Sequence, residues 1–376
     1  MTTIRMSSFE RTLAALTGLC AVLAIVLPLG VRGETVIPSW NETPALVFPV
    51  LVLVLLGLFV LKLPPLASGI LAVVGGAIVI LELANFDRGA WGYWFLLATV
   101  WLLAWLFAER LSNRLAHQRV RNRFVGVLIP AMFGAAILLV WEAVTRGAGV
   151  PNVILPSPSN VWTVLVNSVP LLAVDFVQTF KAVLIGYALG CGIGFAVAIA
   201  IDRSPFLKRG LLPLGNFVSA LPLIGIAPIM VMWFGFDWPS KAAVVVIMTF
   251  FPMLVNTVAG LNASGAMERD MMRTYASSNR QTLFKLRLPA AAPFIFNALK
   301  INSTLALIGA IVAEFFGTPI VGMGFRISSE IGKLNVQMVW AEIAVAALAG
   351  SVFYWVVALI ERAVTFWHPS VRGGRA

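Results

Sequence analysis

The chain has 376 residues, of which 60% are hydrophobic and only 11% charged, with a mean hydropathy of +0.94. A soluble domain carries about 25% charge, so this composition excludes one and divides the length into apolar spans of about 20 residues each. The formal charge of +11 sits in short loops, where membrane topology explains it, so nucleic acid is not an expected partner and a lipid bilayer is.

Taken in order, the apolar runs predict an all-α polytopic membrane protein with about ten transmembrane helices. They fall near 12–31, 46–63, 66–85, 91–108, 124–145, 178–201, 211–236, 241–262, 290–315 and 336–363. The first run, Leu13 to Val31, is long for a signal peptide, and VRGETVIPSW follows it without a small-x-small cleavage site. It reads as a retained span. Cys20 and Cys191 lie inside spans and read as small buried hydrophobes. With both termini on the cytoplasmic side, 19 Lys and Arg face the cytoplasm and seven face outward, which the positive-inside rule favours.

Two blocks emerge. Residues 1–108 form four spans with short loops. Glu109 to Arg123, ERLSNRLAHQRVRNR, reads as a basic cytoplasmic linker. Residues 124–376 form six spans with more varied loops. In VPNVILPSPSNVW (Val150–Trp162), Ser157 or Ser159 is placed to cap a short surface helix. The seventh span carries Pro222, Gly225, Pro228 and Gly235, which fits either a packed kink or a cavity-lining broken helix. The Gly-rich stretch Gly317–Asn335 fits a re-entrant gate or an ordinary loop.

Between the eighth and ninth spans lies a polar insert, Glu268 to Pro289. On a helix, Met267, Met271, Met272 and Tyr275 share one face, while Glu268, Arg269, Asp270 and Arg273 share the other. Methionine and tyrosine suit a protein groove; lying in the headgroups is the bland alternative.

Here the chain resembles the permease subunit of bacterial binding-protein-dependent ABC importers, in the nitrate, taurine and sulfonate branch. MMRTYASSNRQTLFKLRLPAAAPF looks most like permeases for thiamine-precursor pyrimidines and riboflavin. Those permeases carry EAA, then three residues and a Gly, then a Leu-Pro whose proline lies thirteen positions after that Gly. Asp270-Met271-Met272 stands where EAA would be, Ala276 where the Gly would be, and Leu288-Pro289 closes the motif. Alanine keeps the turn position small but disfavours a left-handed turn there. The downstream GAIVAEFFG and upstream ILPSPSNVW and WFGF add to the likeness, which covers about residues 124–370.

The resemblance implies a type I ABC importer permease core of six helices, with the N-terminal four helices as an added block, in the bacterial inner membrane. It implies a coupling helix at about 265–278, with Asp270, Met271, Met272, Tyr275, Ala276, Ser277, Leu288 and Pro289 meeting the ATPase. The implied partners are a second permease subunit, expected as a copy of this chain, two cytosolic ABC ATPase subunits and an extracytoplasmic substrate-binding protein. ATP and Mg would belong to the ATPase. This chain has no GxxxxGK[ST] loop and no metal-ligand spacing, so no cofactor, metal or catalytic residue is expected in it.

Polar groups inside spans are candidates for the substrate pathway: Asn256, Asn302, Ser303 and Glu314, with Trp233 and Phe234 as stacking faces. Interhelical hydrogen bonding is the structural alternative. Two other functions compete. An ion-coupled secondary transporter would need paired ionisable groups at midplane, of which Glu314 and Lys300 stand alone. An intramembrane enzyme lacks any HExxH, paired aspartates or Ser/His arrangement.

Overall fold

The computed structural model describes residues 8–38, 50–55 (without 53), 65–118 (without 84), 123–211 (without 205), 213, 222–317 and 321–367. Among these, seven helices are long and apolar enough to cross a membrane, and two shorter apolar helices accompany them. The chain is an all-α polytopic membrane protein, as its hydropathy predicts. The expected second span, 46–63, lies almost wholly outside the described residues.

The structure divides into two compact units, up to Trp162 and from Thr163 onward. In the first, α1 (Ser8–Val26), α2 (Pro65–Glu82), α3 (Trp91–Gln118) and α4 (Arg123–Gly147) surround a core of Leu29, Leu51, Val79, Tyr93, Leu96, Leu103 and Ala143. The Glu109–Gln118 half of the expected linker continues α3 as helix. Its Glu, Arg, Leu and Ala are strong helix formers, so polarity there does not end the helix. By compactness α4 falls in this unit. A small antiparallel sheet, which apolar periodicity does not foresee, orders β1 (Gly30–Arg32) between β2 (Thr35–Ile37) and β3 (Arg88–Gly89). Ser157 does cap the next helix, α5 (Pro158–Asn167): its Oγ accepts the Asn160 N–H at 3.4 Å, while Ser159 donates through N and Oγ to Glu142 at 2.9 and 2.7 Å.

The second unit is built on α6 (Val169–Arg203), α8 (Trp238–Asn262), α11 (Leu288–Glu314) and α13 (Val336–Val364). α6, 35 residues long, is about 50 Å from end to end. It buries Leu172, Asp175, Thr179, Val183, Gly186, Gly190, Gly194, Ala198 and Ile201, one stripe at helical period. The three glycines let α8 approach: a Cβ on Gly186, Gly190 or Gly194 would lie 2.7, 2.9 or 2.6 Å from the carbonyl oxygens of Ala242, Val246 and Phe250. Close backbone approach at small residues is the usual basis of helix packing in lipid. Short helices decorate both ends of this bundle. α7 (Leu223–Phe234) precedes α8 and ends at Gly235, whose φ is 80°. α9 (Ala266–Thr274) and α10 (Asn279–Thr282) form the insert before α11. α12 (Met323–Gly332) lies at the opposite end, between α11 and α13.

Candidate functional site at the polar insert

α9 starts at Gly265, whose N–H donates to the Glu268 Oε2 at 2.8 Å. Glycine offers no side chain in return, so only half of a capping box forms. No residue of α9 is buried. Met267 is 84% exposed, Met271 56% and Tyr275 78%, so three large apolar side chains at i, i+4 and i+8 face away from the protein. Met272, expected on the same face, is half-buried, and the Ser277 Oγ donates to its sulfur at 3.9 Å. Asp270 and Arg273 form an ion pair on the polar side.

The helix ends on Ala276, with φ at 53°. The Ala276 N–H donates to the Arg273 carbonyl at 2.9 Å and the Ser277 N–H to the Met272 carbonyl at 3.0 Å. These two bonds define a Schellman turn, and Ala276 holds the position that glycine usually occupies. The expectation that alanine would avoid the left-handed conformation is overturned. Two backbone bonds outweigh a steric cost of about 1–2 kcal/mol. Ser278 then caps α10 in a full capping box with Gln281, at 2.8 and 3.2 Å.

A π-helical turn, Leu283–Arg287, leads into α11 at Leu288-Pro289. Pro289 sits in the first turn of α11, directly after the π turn, and offers no N–H to the carbonyls of that turn. Leu283 is buried against Leu261 and Ala291. Arg287 donates to both oxygens of Asp202 at 2.6 Å, and its Nε donates to the Leu261 carbonyl at 3.0 Å. Hydropathy marks Arg287 only as a topological charge and passes over Asp202. Both are charged residues at the edges of spans, which is the signal that would have found them.

The opposite end carries a second constellation. Asp175, fully buried on α6, accepts the Gly322 N–H at 2.7 Å and the Arg326 Nε at 2.8 Å. Thr179 accepts the Met323 N–H at 2.9 Å and donates to Glu314. Glu314 accepts the Gly324 N–H at 2.7 Å. The start of α12 therefore sets the Gly322 and Gly324 N–H groups on acids of α6 and α11, the favourable sign for a helix N-terminus. Glu342 is buried nearby and interacts electrostatically with Asp175, Arg326 and Glu314. Farther along α12, burial raises the Glu330 carboxyl, but Lys333 and Asn335 outweigh it and hold it below the usual range. Asp237, the cap of α8, is also held low, first by the Trp238 N–H and then by Gln178.

The structure does not gather the six pathway candidates into one place. Glu314 belongs to the α12 constellation. Asn302 is fully buried, donating to the Thr249 carbonyl at 2.7 Å and the Cys191 sulfur at 3.2 Å, so Cys191 is an acceptor as well as a small hydrophobe. Ser303 is buried and donates to the Lys300 carbonyl. Asn256 donates to the Pro252 carbonyl on its own helix. Trp233 and Phe234 are 71% and 52% exposed at the end of α7. Lys300 pairs with Glu361 at 2.7 Å, tying α11 to α13.

Residues 189–366 match a family described as the binding-protein-dependent transport system inner membrane component. The chain is 30% identical to the formylaminopyrimidine transport permease protein ThiX of Halalkalibacterium halodurans, over 65% of this chain and 98% of that protein. It is 29% identical to the riboflavin transport system permease protein RibX of Chloroflexus aurantiacus, over 62% and 88% of the two chains. It is 28% identical to the putative aliphatic sulfonates transport permease protein SsuC of Bacillus subtilis, over 66% and 89%.

Proposed function

Because this chain belongs to the inner membrane component family of binding-protein-dependent transport systems, and is thus an ABC importer permease subunit, we propose that α9 is its coupling helix. In this reading the insert lies in the cytosol with both termini, and α9 enters a groove on a separate ABC ATPase that holds ATP and Mg. The second unit, paired with a second copy of this chain, forms the pathway. A substrate-binding protein delivers the cargo on the opposite face. Relatives named for a formylaminopyrimidine, riboflavin and aliphatic sulfonates support a small organic solute as cargo. Family membership supports this reading over the ion-coupled alternative.

The observation that carries the coupling role is the exposed apolar face of Met267, Met271 and Tyr275 on a short helix without a single buried residue. Leaving such a face in water is unfavourable by about 25 cal/mol per Å², so an occupant is expected. The placement of Ala276 and Leu288-Pro289 at the family's turn and closing positions adds to it. A photo-crosslinking side chain at position 271 should capture the ATPase in intact cells. Capture of lipid alone would contradict the docking role and favour a helix resting in the headgroups.

A further inference from the structure

We propose that Arg287 is a positioning residue for transport, the joint through which movement of the insert reaches the membrane helices. This rests on the coupling role of α9.

The insert must be attached stiffly to the spans if it is to move them. Its own helix offers no buried contact, and its ion pair, Arg273 with Asp270, is 82% and 69% exposed. Such pairs are too loosely held to transmit force. Arg287 is different. One guanidinium grips Asp202 in the last turn of α6 with two bonds of 2.6 Å and the Leu261 carbonyl at the end of α8 with a third. It does so from the turn that begins α11. The two side chains are only 18% and 13% exposed. Three spans meet on one planar group.

Each part of the joint costs something unless Arg287 is there. Leu261 lies in the final turn of α8, where carbonyls have no helical partner. Asp202 places a carboxylate at the negative end of the α6 dipole, the unfavourable end for an acid. The cation offsets both. A π turn ending at Arg287, closed by the Leu288 N–H on the Leu283 carbonyl, sets the direction from which the side chain leaves the helix. Such turns are uncommon and cluster at functional places. Lysine has the charge but not the fork, so it would keep the attraction and lose the fixed geometry.

The test uses the full importer, permease with bound ATPase, in lipid nanodiscs. Spin labels are placed at Thr274→Cys on α9 and Ile331→Cys on α12, in a background with Cys20→Ser and Cys191→Ala. The distance between them is read with and without ATP and vanadate. In the otherwise unsubstituted importer this distance changes with nucleotide. In Arg287→Ala and Asp202→Asn, the ATPase stays bound and hydrolyses ATP, while the nucleotide-dependent change is lost. Arg287→Lys recovers part of it. A full response in either Arg287→Ala or Asp202→Asn would overturn the proposal. Loss of the ATPase from either would also overturn it, by making the pair part of docking. If Arg287→Ala fails to insert, the near-isosteric Asp202→Asn decides alone. Absence of any response before substitution would instead overturn the coupling reading beneath it.

Discussion

The two ends of the second unit are built from the same parts with the signs reversed. At the α12 end, buried acids on α6 and α11 receive the N–H groups that begin a helix. At the insert end, a cation donates to the carbonyl that finishes one and to the acid beside it. The difference is in what hangs from each anchor. α12 is pinned by its own first turn and buries Met323, Gly324, Ile327 and Glu330. α9 has no buried residue, only the half-buried Arg269 and Met272, and leaves Met267, Met271 and Tyr275 in solvent. One short helix is part of the bundle and the other is offered to a partner.

The comparison breaks first at Asp175. Asp175→Ala leaves Arg326 and the Gly322 N–H without their acceptor. A loss of about 3–5 kcal/mol is expected, as for other buried pairs deprived of one partner. Denaturation of the purified protein in detergent measures it; a loss below about 1 kcal/mol would mean that α12 is held by packing alone. Gly324→Ala comes next. A Cβ there would lie 2.1 Å from the Ile311 carbonyl oxygen, and overpacking of this kind costs about 1–3 kcal/mol. Unchanged stability would show that α12 is free to shift. At the insert end the sign reverses. Ala276→Gly relieves a left-handed alanine and should stabilise by at most about 1 kcal/mol, less the greater freedom of glycine in the unfolded chain. Helix content and protease resistance of the loop should rise; a fall would mean that the Ala276 methyl makes a contact the turn needs. Smallest is Asp270→Ala, which removes an exposed pair and should change stability by less than about 0.5 kcal/mol.

Local patterns in the chain account for what could be read from it. The helix Ala266–Thr274, its Met267, Met271 and Tyr275 face, the Ser157 cap and the start of α11 at Leu288-Pro289 all depend on neighbours within about eight residues. Met272 departs from its expected face because five residues of helix set it about 140° from Met267, where the Ser277 Oγ meets its sulfur. The Ala276 conformation runs against intrinsic preference and is decided by two backbone bonds. Asp202 and Arg287 stand 85 positions apart, and Asp175 and Arg326 stand 151 apart. No periodicity pairs such residues. Asp175, Asp202 and Arg287 have only the mark of a charge at the edge of an apolar run, and Arg326 only that of a loop charge, which topology alone explains equally well. Glu314 was visible as an intramembrane acid, but its tie to Gly324 depends on a helix folding back against α11.

The central claim is that the exposed face of α9 receives the ATPase, and the double substitution Met271→Asp with Tyr275→Asp tests it most directly. Both side chains stand in solvent, so the protein should insert and fold as before. Two carboxylates buried without partners in a protein groove would be costly, so the ATPase should no longer co-purify in detergent and uptake in proteoliposomes should stop. Normal co-purification with normal uptake would contradict the account and leave α9 a surface helix.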